Sequence, residues 1–352
     1  MNHHHHSRSY NSKNEQLLPN DRYIVISTIG SGTFGTVFLA KDKIENKLYA
    51  IKKVFLDPKF KNRELDIVRQ LEHPNCLKCY SYYKTREGVN NDVYLHLVTD
   101  YLPQTISSFI EDQSHSYFYL KLFGFQMFAG LYYLHYHGVC HRDIKPSNLL
   151  IDPKDGRLQI CDFGSAKFLI PGEPSVSYIA TRSYRAPELL LDCQLYTTAV
   201  DIWAAGCVLA EMVLKGKPLF YARDDVNQMI YKIAKIIGSP KPSDLNTFVH
   251  NKDYPYYKIH SCSLKSVFPS DVPEDFIDLL SKIFVYSPSK RLTAEQCMKH
   301  PFFSDLFDKN VRIPESNNPL PEYMKLIQTP EIINYNFPIG PISPNFLLKN
   351  IF

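Results

Sequence analysis

The sequence predicts an α+β fold of two unlike lobes: a small, mainly β lobe with one helix, then a larger, mainly α lobe. Three observations carry this. Strand-type runs crowd the first hundred residues, at Tyr23–Ile26, Val37–Ala40, Leu48–Val54 and Val93–Tyr101. Helical patterning takes over afterwards, first in Tyr117–His137, where Leu120, Phe123, Met127, Leu131 and Leu134 recur at helical spacing, and again from Asp201. A length of 352 residues suffices for two domains of ordinary size. The boundaries read 1–20 as a polar, disordered extension with a short histidine run, 21–312 as the folded region and 313–352 as a tail rich in Pro and Asn. Within 21–312, the small lobe is 21–100, a linker 100–104 and the large lobe 105–312.

Composition narrows the function. A net charge of +4, with no long basic block, argues against nucleic acid. No apolar run reaches membrane-spanning length, so no membrane partner is expected. Eight cysteines are scattered without a framework, and Cys76 and Cys79 form the one tight pair with no second pair at zinc-ribbon distance. Buried free thiols in a reducing compartment are the expectation, with a cytoplasmic and also nuclear location.

In chain order, Tyr23–Ile26 leads into Gly30-Ser31-Gly32-Thr33-Phe34-Gly35, and Val37–Ala40 returns as a second strand. Three glycines at this spacing match by chance in roughly 10% of chains this long, so the motif alone is weak. The strand on each side makes it a hairpin lid, unlike the strand-to-helix turn of a dinucleotide site. Lys52 and Lys53 on the third strand point to opposite faces, and Lys52, following Ala50-Ile51, is the inward one. Residues Lys61 to Leu71 read as a helix carrying Glu64, a carboxylate to hold Lys52. Arg63 lies about 100° around that helix and faces elsewhere.

The stretch around which the chain is organised is His141-Arg142-Asp143-Ile144-Lys145-Pro146-Ser147-Asn148, with Asp162-Phe163-Gly164 nineteen residues beyond Asp143. Four fixed positions of this kind recur by chance only ~0.002 times in such a chain, which sets aside a charged surface loop. Phosphoryl transfer asks for positioning and for stabilisation of the migrating group's charge. Asp143 suits the base that takes the acceptor hydroxyl's proton. Lys145 suits charge neutralisation, and Asn148 and Asp162 suit Mg2+. The ATP-binding set is Ile29, Gly30, Gly32, Gly35, Val37, Ala50, Lys52, Glu64, Thr99, Asp100 and Tyr101, with adenine against backbone groups near Asp100 and Tyr101 and Thr99 controlling access behind it. Ala186-Pro187-Glu188 closes the activation segment, and Arg291 is the expected ion-pair partner of Glu188.

Residues 21–312 resemble a eukaryotic protein kinase throughout. Within that group four stretches look like glycogen synthase kinase 3: Phe60–Leu65, Cys140–Pro146, Cys161–Lys167 and Gly172–Ile179. The resemblance implies a bilobal Ser/Thr protein kinase using ATP and Mg2+. It also implies that Arg63, Arg142 and Lys167 bind a phosphate already on the protein substrate, four residues C-terminal to the acceptor, and that Tyr178 is a phosphosite. A scaffold protein on the Val226–Ile237 helix is a further implied partner, its stripe being Val226, Met229, Ile230, Ile233 and Ile237. The chain departs from the family at Thr99, where Leu is usual, and at Ser183, where a second Tyr is usual. An N-terminal Arg-x-x-Ser of the inhibitory type is missing, His6-Ser7-Arg8-Ser9 being a weak match.

Two other readings compete. A mitogen-activated or cyclin-dependent kinase would carry a phosphorylatable Thr eleven residues before Pro187, where this chain has Val176. A scaffold with an inactive kinase fold would have lost Lys52, Asp143, Asn148 or Asp162, all of which are present.

Overall fold

Residues 22–32, 35–59, 63–111, 116–223, 225–255 and 258–327 are described by the computed structural model. The N-terminal extension, Thr33 and Phe34 of the glycine motif, Phe60 to Asn62 and the tail beyond Ile327 lie outside them. Contacts divide the chain into two compact units, 1–62 with 79–101, and 63–78 with 102–352.

The first unit is a five-stranded antiparallel sheet: β1 (Tyr23–Gly32), β2 (Gly35–Asp42), β3 (Leu48–Phe55), β4 (Cys79–Glu87) and β5 (Asp92–Asp100), in spatial order β1-β2-β3-β5-β4. The expected hairpin is present, with Gly30 opposite Val37 and Gly32 opposite Gly35. Gly35 has φ +117°, and a Cβ there would collide with the Lys53 carbonyl oxygen, so the turn back into β2 requires glycine. Strand alternation separates the two faces of β3. Tyr49 and Ile51 pack with Ala40 and Val98 as the unit's core, against Tyr23 and Tyr83. Ala50 and Lys52 point the other way.

The second unit begins with α1 (Glu64–Val68), which stops three residues short of Leu71, where the pattern predicts the helix to end; Lys61 and Asn62 lie outside the described residues. Its following loop belongs here rather than with the sheet, for a physical reason. Asn75 donates its side-chain amide to Gln126 and to the Leu158 carbonyl, and Ile160 donates its backbone N–H to the Asn75 carbonyl at 2.8 Å. Next come β6 (Gln104–Thr105), α2 (Ile106–Glu111), α3 (Tyr117–Tyr136) and β7 (Val139–Cys140), then β8 (Leu149–Asp152), β9 (Arg157–Ile160) and β10 (Lys167–Phe168). Strands β6, β8 and β9 form a small antiparallel sheet, and β10 pairs with β7.

Helices α4 (Pro187–Leu190), α5 (Ala199–Val213), α6 (Val226–Ile237), α7 (Pro242–Leu245), α8 (Glu274–Ile283), α9 (Ala294–Met298) and α10 (Tyr323–Ile327) complete the unit. Helices α3 and α5 are its apolar centre: all five predicted core residues of α3 are buried, and Trp203 on α5 packs with Phe220 and Phe284. Gly206 is where α5 meets α8 most closely, since a Cβ would fall 2.6 Å from Ile283 Cγ2. Arg291 donates to both carboxylate oxygens of Glu188, at 2.9 and 3.1 Å, with both side chains fully buried, as the sequence predicts.

The described part of the tail carries one short helix, α10, with Ile313, Met324 and Ile327 buried. The α6 stripe is largely core: Met229, Ile230 and Ile233 are buried, and Val226 and Ile237 are half-buried at its ends. All eight cysteines are free thiols, and five of them are buried. Among the described residues, no helix is long and apolar enough to cross a membrane.

Candidate active site

In the β unit, register places the expected nucleotide residues together. Val37 on β2 and Leu97 on β5 lie opposite Lys52, and Thr99 lies opposite Ala50. Cross-strand partners share a face, so Val37, Ala50, Lys52 and Thr99 all sit on the side away from the Tyr49–Ile51 core. Gly30, opposite Val37, brings the glycine strand beside them. Lys53 is spent on the other face, 2.5 Å from Glu87 and over the Tyr94 ring. Thr99 is buried, its hydroxyl 3.3 Å from the Ala50 carbonyl oxygen. Ile29 is exposed on β1, and Asp100 accepts from the Tyr80 hydroxyl at 2.8 Å, beside Tyr101 at the end of the unit.

In the helical unit, the catalytic loop is built on one buried carboxylate that the sequence reading passed over. Asp201, at the start of α5, accepts the backbone N–H groups of His141 and Arg142, each at 2.8 Å, and bonds to His135 Nε2 at 2.9 Å. Burial pushes its pKa up, yet these partners, His135 first, outweigh that and hold the carboxyl below its usual value. They also pin Arg142 in the left-handed region at φ +69°, a conformation that persists only where its surroundings enforce it. His141 then spans to the Cys161 carbonyl at 2.9 Å and stacks edge-on against Phe163.

Asp143 is buried and fully engaged. Its Oδ1 accepts from the Thr181 backbone N–H at 3.0 Å and from the Thr181 hydroxyl at 2.9 Å. Lys145 Nζ lies 2.7 Å from Oδ2 and 3.1 Å from Thr181 Oγ1. Asn148 donates its amide nitrogen to the Asp143 carbonyl and to Oδ2, which turns its amide oxygen into the atom available to a cation. Cys161 donates its N–H to the Asn148 carbonyl at 3.0 Å, and the next residue, Asp162, has φ +60°. One carboxylate and one amide oxygen are hard donors. They fit Mg2+, which keeps several waters and binds substrate phosphates instead of occupying an all-protein cage. Thr181 is the residue most clearly missed by sequence reasoning: it lies in a segment of unremarkable composition, and only the fold brings it to Asp143.

A basic cluster stands beside this loop. Arg142 donates Nε to the Ser165 carbonyl at 2.5 Å and Nη1 to Tyr196 Oη at 3.1 Å, and Lys167 donates to Ser175 Oγ at 2.7 Å. Helix α1 packs on the Phe163–Ser165 turn and carries exposed Arg63 at its N-terminus. The pKa of Lys167 is pushed down, first by burial and then by the charges of Arg142 and Arg63, with Glu173 a lesser opposing influence. Val176 and Tyr178 on the same segment are exposed, and the Arg185 guanidinium lies 4.6 Å from the Tyr178 ring centre.

The protein kinase domain description matches residues 23–303 of the chain. The chain belongs to the protein kinase family. It is 43% identical over 320 residues to "Protein kinase gsk3" of Schizosaccharomyces pombe, a match covering 89% of this chain and 81% of that protein. It is therefore a Ser/Thr protein kinase of the glycogen synthase kinase 3 type, and its β sheet and helical unit are those of the bilobal kinase fold.

Proposed function

We propose that this kinase uses ATP and Mg2+ to phosphorylate Ser and Thr of proteins that already carry a phosphate four residues C-terminal to the acceptor. The observation that carries this reading is the convergence of three basic residues: Arg142 bonds the Ser165 carbonyl two residues before Lys167, and α1, with Arg63 at its N-terminus, packs on the same turn. Arg63, Arg142 and Lys167 form a concentrated positive site, and Arg142 and Lys167 donate to neutral groups, the Ser165 carbonyl, Tyr196 Oη and Ser175 Oγ. A phosphate offers acceptor oxygens and charge to such a site. Other proline-directed kinases supply that anion from a phosphothreonine of their own, and Val176 cannot provide one.

In the transfer step the acceptor oxygen bonds to the γ phosphorus, the bond to the β–γ bridging oxygen breaks, and ADP leaves. The Asp143 carboxylate takes the hydroxyl proton. Thr181 holds Asp143 in one orientation for that role, and Lys145 places positive charge beside the transferred group. Lys52 positions phosphate from β3, and Asn148 and Asp162 supply protein oxygens to Mg2+. When bound, Mg2+ neutralises charge on the phosphates. A scaffold partner on α6 would meet the half-buried ends Val226 and Ile237 and exposed Tyr231, since the middle of the stripe is taken into the core.

Steady-state phosphorylation of paired peptides, with and without phosphoserine at the fourth position after the acceptor, tests the proposal. Arg63→Ala should lose about 10-fold or more in kcat/KM on the primed peptide, or about 1.4 kcal/mol, and much less on the unprimed one. An equal loss on both peptides would leave a generic proline-directed kinase.

A further inference from the structure

Gln126 sits in the middle of α3 with no exposed surface, a long polar side chain inside the most apolar helix of the chain. Such a group is retained only where its hydrogen bonds are met, and here they tie four separate segments together. Its amide nitrogen donates to the Leu122 carbonyl within α3 and to the Gly156 carbonyl of the β8–β9 turn, at 3.2 and 2.8 Å. Its amide oxygen accepts from Asn75 Nδ2 at 3.0 Å, from the Leu158 N–H at 3.0 Å and from Tyr323 Oη at 2.7 Å. Tyr323 lies on α10, twenty residues past the matched end of the kinase domain at 303. The pKa of its hydroxyl is raised, with burial the first cause, so it stays a neutral donor.

The hub leads toward the proposed metal residues. Asn75, locked by Gln126 and the Leu158 carbonyl, accepts the Ile160 N–H at 2.8 Å, and Leu77 donates its N–H to the Ile160 carbonyl at 2.9 Å. Residues 75–77 thus clasp Ile160 from both sides, two positions before Asp162. The same loop is the continuation of α1, which carries Arg63 and Glu64.

We propose that Tyr323 is a positioning residue for catalysis: its hydroxyl completes the Gln126 hub, which fixes the Asn75–Leu77 clasp on Ile160 and so the placement of Asp162. The segment beyond the common kinase domain is then a working part of this enzyme. The proposal rests on the reading of Asp162 as a Mg2+ ligand, and the test separates the two.

Tyr323→Phe keeps the ring and removes the donor. In the metal-free protein, amide hydrogen exchange at Ile160 and Leu77 should quicken about fivefold while amides of α5 are unchanged, the effect expected for one lost hydrogen bond. With Mg-ATP, kcat should fall by a similar factor while peptide KM stays within about twofold. Phe276→Leu, a buried apolar truncation that packs on Phe268 and Phe302, controls for stability alone and should leave Ile160 exchange and kcat unchanged at a comparable loss in Tm. Unchanged exchange at Ile160, or the same pattern in both variants, overturns the proposal. Asp162→Asn, assayed in parallel, assigns the blame. If it is inactive, an unchanged kcat in Tyr323→Phe overturns the positioning role; if it is active, the metal reading has failed instead.

Discussion

Thr181 donates twice to one oxygen of Asp143, through its backbone N–H at 3.0 Å and its hydroxyl at 2.9 Å, across 38 residues of chain. The activation segment's own backbone thereby fixes the carboxylate proposed as base, leaving Oδ2 to Lys145 and Asn148. Geometry of this kind matters because a base must meet the hydroxyl proton in one orientation.

Thr181→Ala removes one of these donors and the Lys145 acceptor together. Its kcat should fall about 10-fold, in the range of a hydrogen bond to a charged group, with Tm nearly unchanged. Thr181→Ser, which keeps the hydroxyl, should retain most activity. Equal losses in the two variants would assign the effect to the methyl group's packing.

Lys52→Ala and Asp162→Ala should each abolish turnover and leave the fold intact. Neither side chain belongs to the apolar core, and each is assigned to charge neutralisation worth several kcal/mol in the transition state. Circular dichroism and thermal melts check the fold, and a radiolabelled-phosphate assay checks turnover. Near-normal kcat with unchanged ATP affinity in either variant would show the nucleotide residues to be misassigned.

How far these residues were legible depended on whether chemistry or topology selects them. Asp143, Lys145, Asn148 and Asp162 stand in a short run whose spacing the reaction dictates. Lys52 was separable from Lys53 because strand alternation sends them to opposite faces, and Lys53 meets Glu87. Thr181, Asp201 and Gln126 carried no such local signal. Each acts through tertiary partners 30 to 197 residues away, set by packing. Helix α1 was overextended because Leu71 repeats the spacing of Leu65 and Val68, although the chain turns after Val68 into the loop that Asn75 anchors.

Thr99 is buried with its hydroxyl held by the Ala50 carbonyl, and it is smaller than the leucine usual at this position in the family. Thr99→Leu should weaken inhibitors that place a bulky group behind adenine and spare those that do not. Competition assays with matched pairs of such compounds measure this, and equal effects on both sets would show that Thr99 does not control that space.

Tyr178 is 76% exposed and its ring lies against Arg185. Phosphorylation would add nearly two negative charges beside that guanidinium. Recombinant protein should carry phosphotyrosine at Tyr178 through the chain's own activity. Intact mass and peptide mapping of wild type and Asp143→Asn test this, since equal phosphate in both would mean that another kinase adds it.

Lys167 gives the proposed phosphate site a pH signature. Its pKa is lowered from 10.5 by burial, Arg142 and Arg63, so the folded protein releases this proton at lower pH than the unfolded chain does. Between those two values the unfolded state binds more protons, and Lys167 therefore makes stability rise with pH in that window. A bound phosphate reverses the sign of its surroundings and favours the charged lysine. Affinity for a phosphopeptide should then climb through about pH 6 as the phosphate reaches its dianion, and fall as Lys167 loses its proton, below the ordinary lysine value. Lys167→Arg keeps the charge at all these pH values, so it should preserve the rise and move the fall upward. Calorimetric titration across pH separates the limbs. A descending limb identical in wild type and Lys167→Arg would exclude Lys167 from the site and return the cluster to an ordinary basic surface.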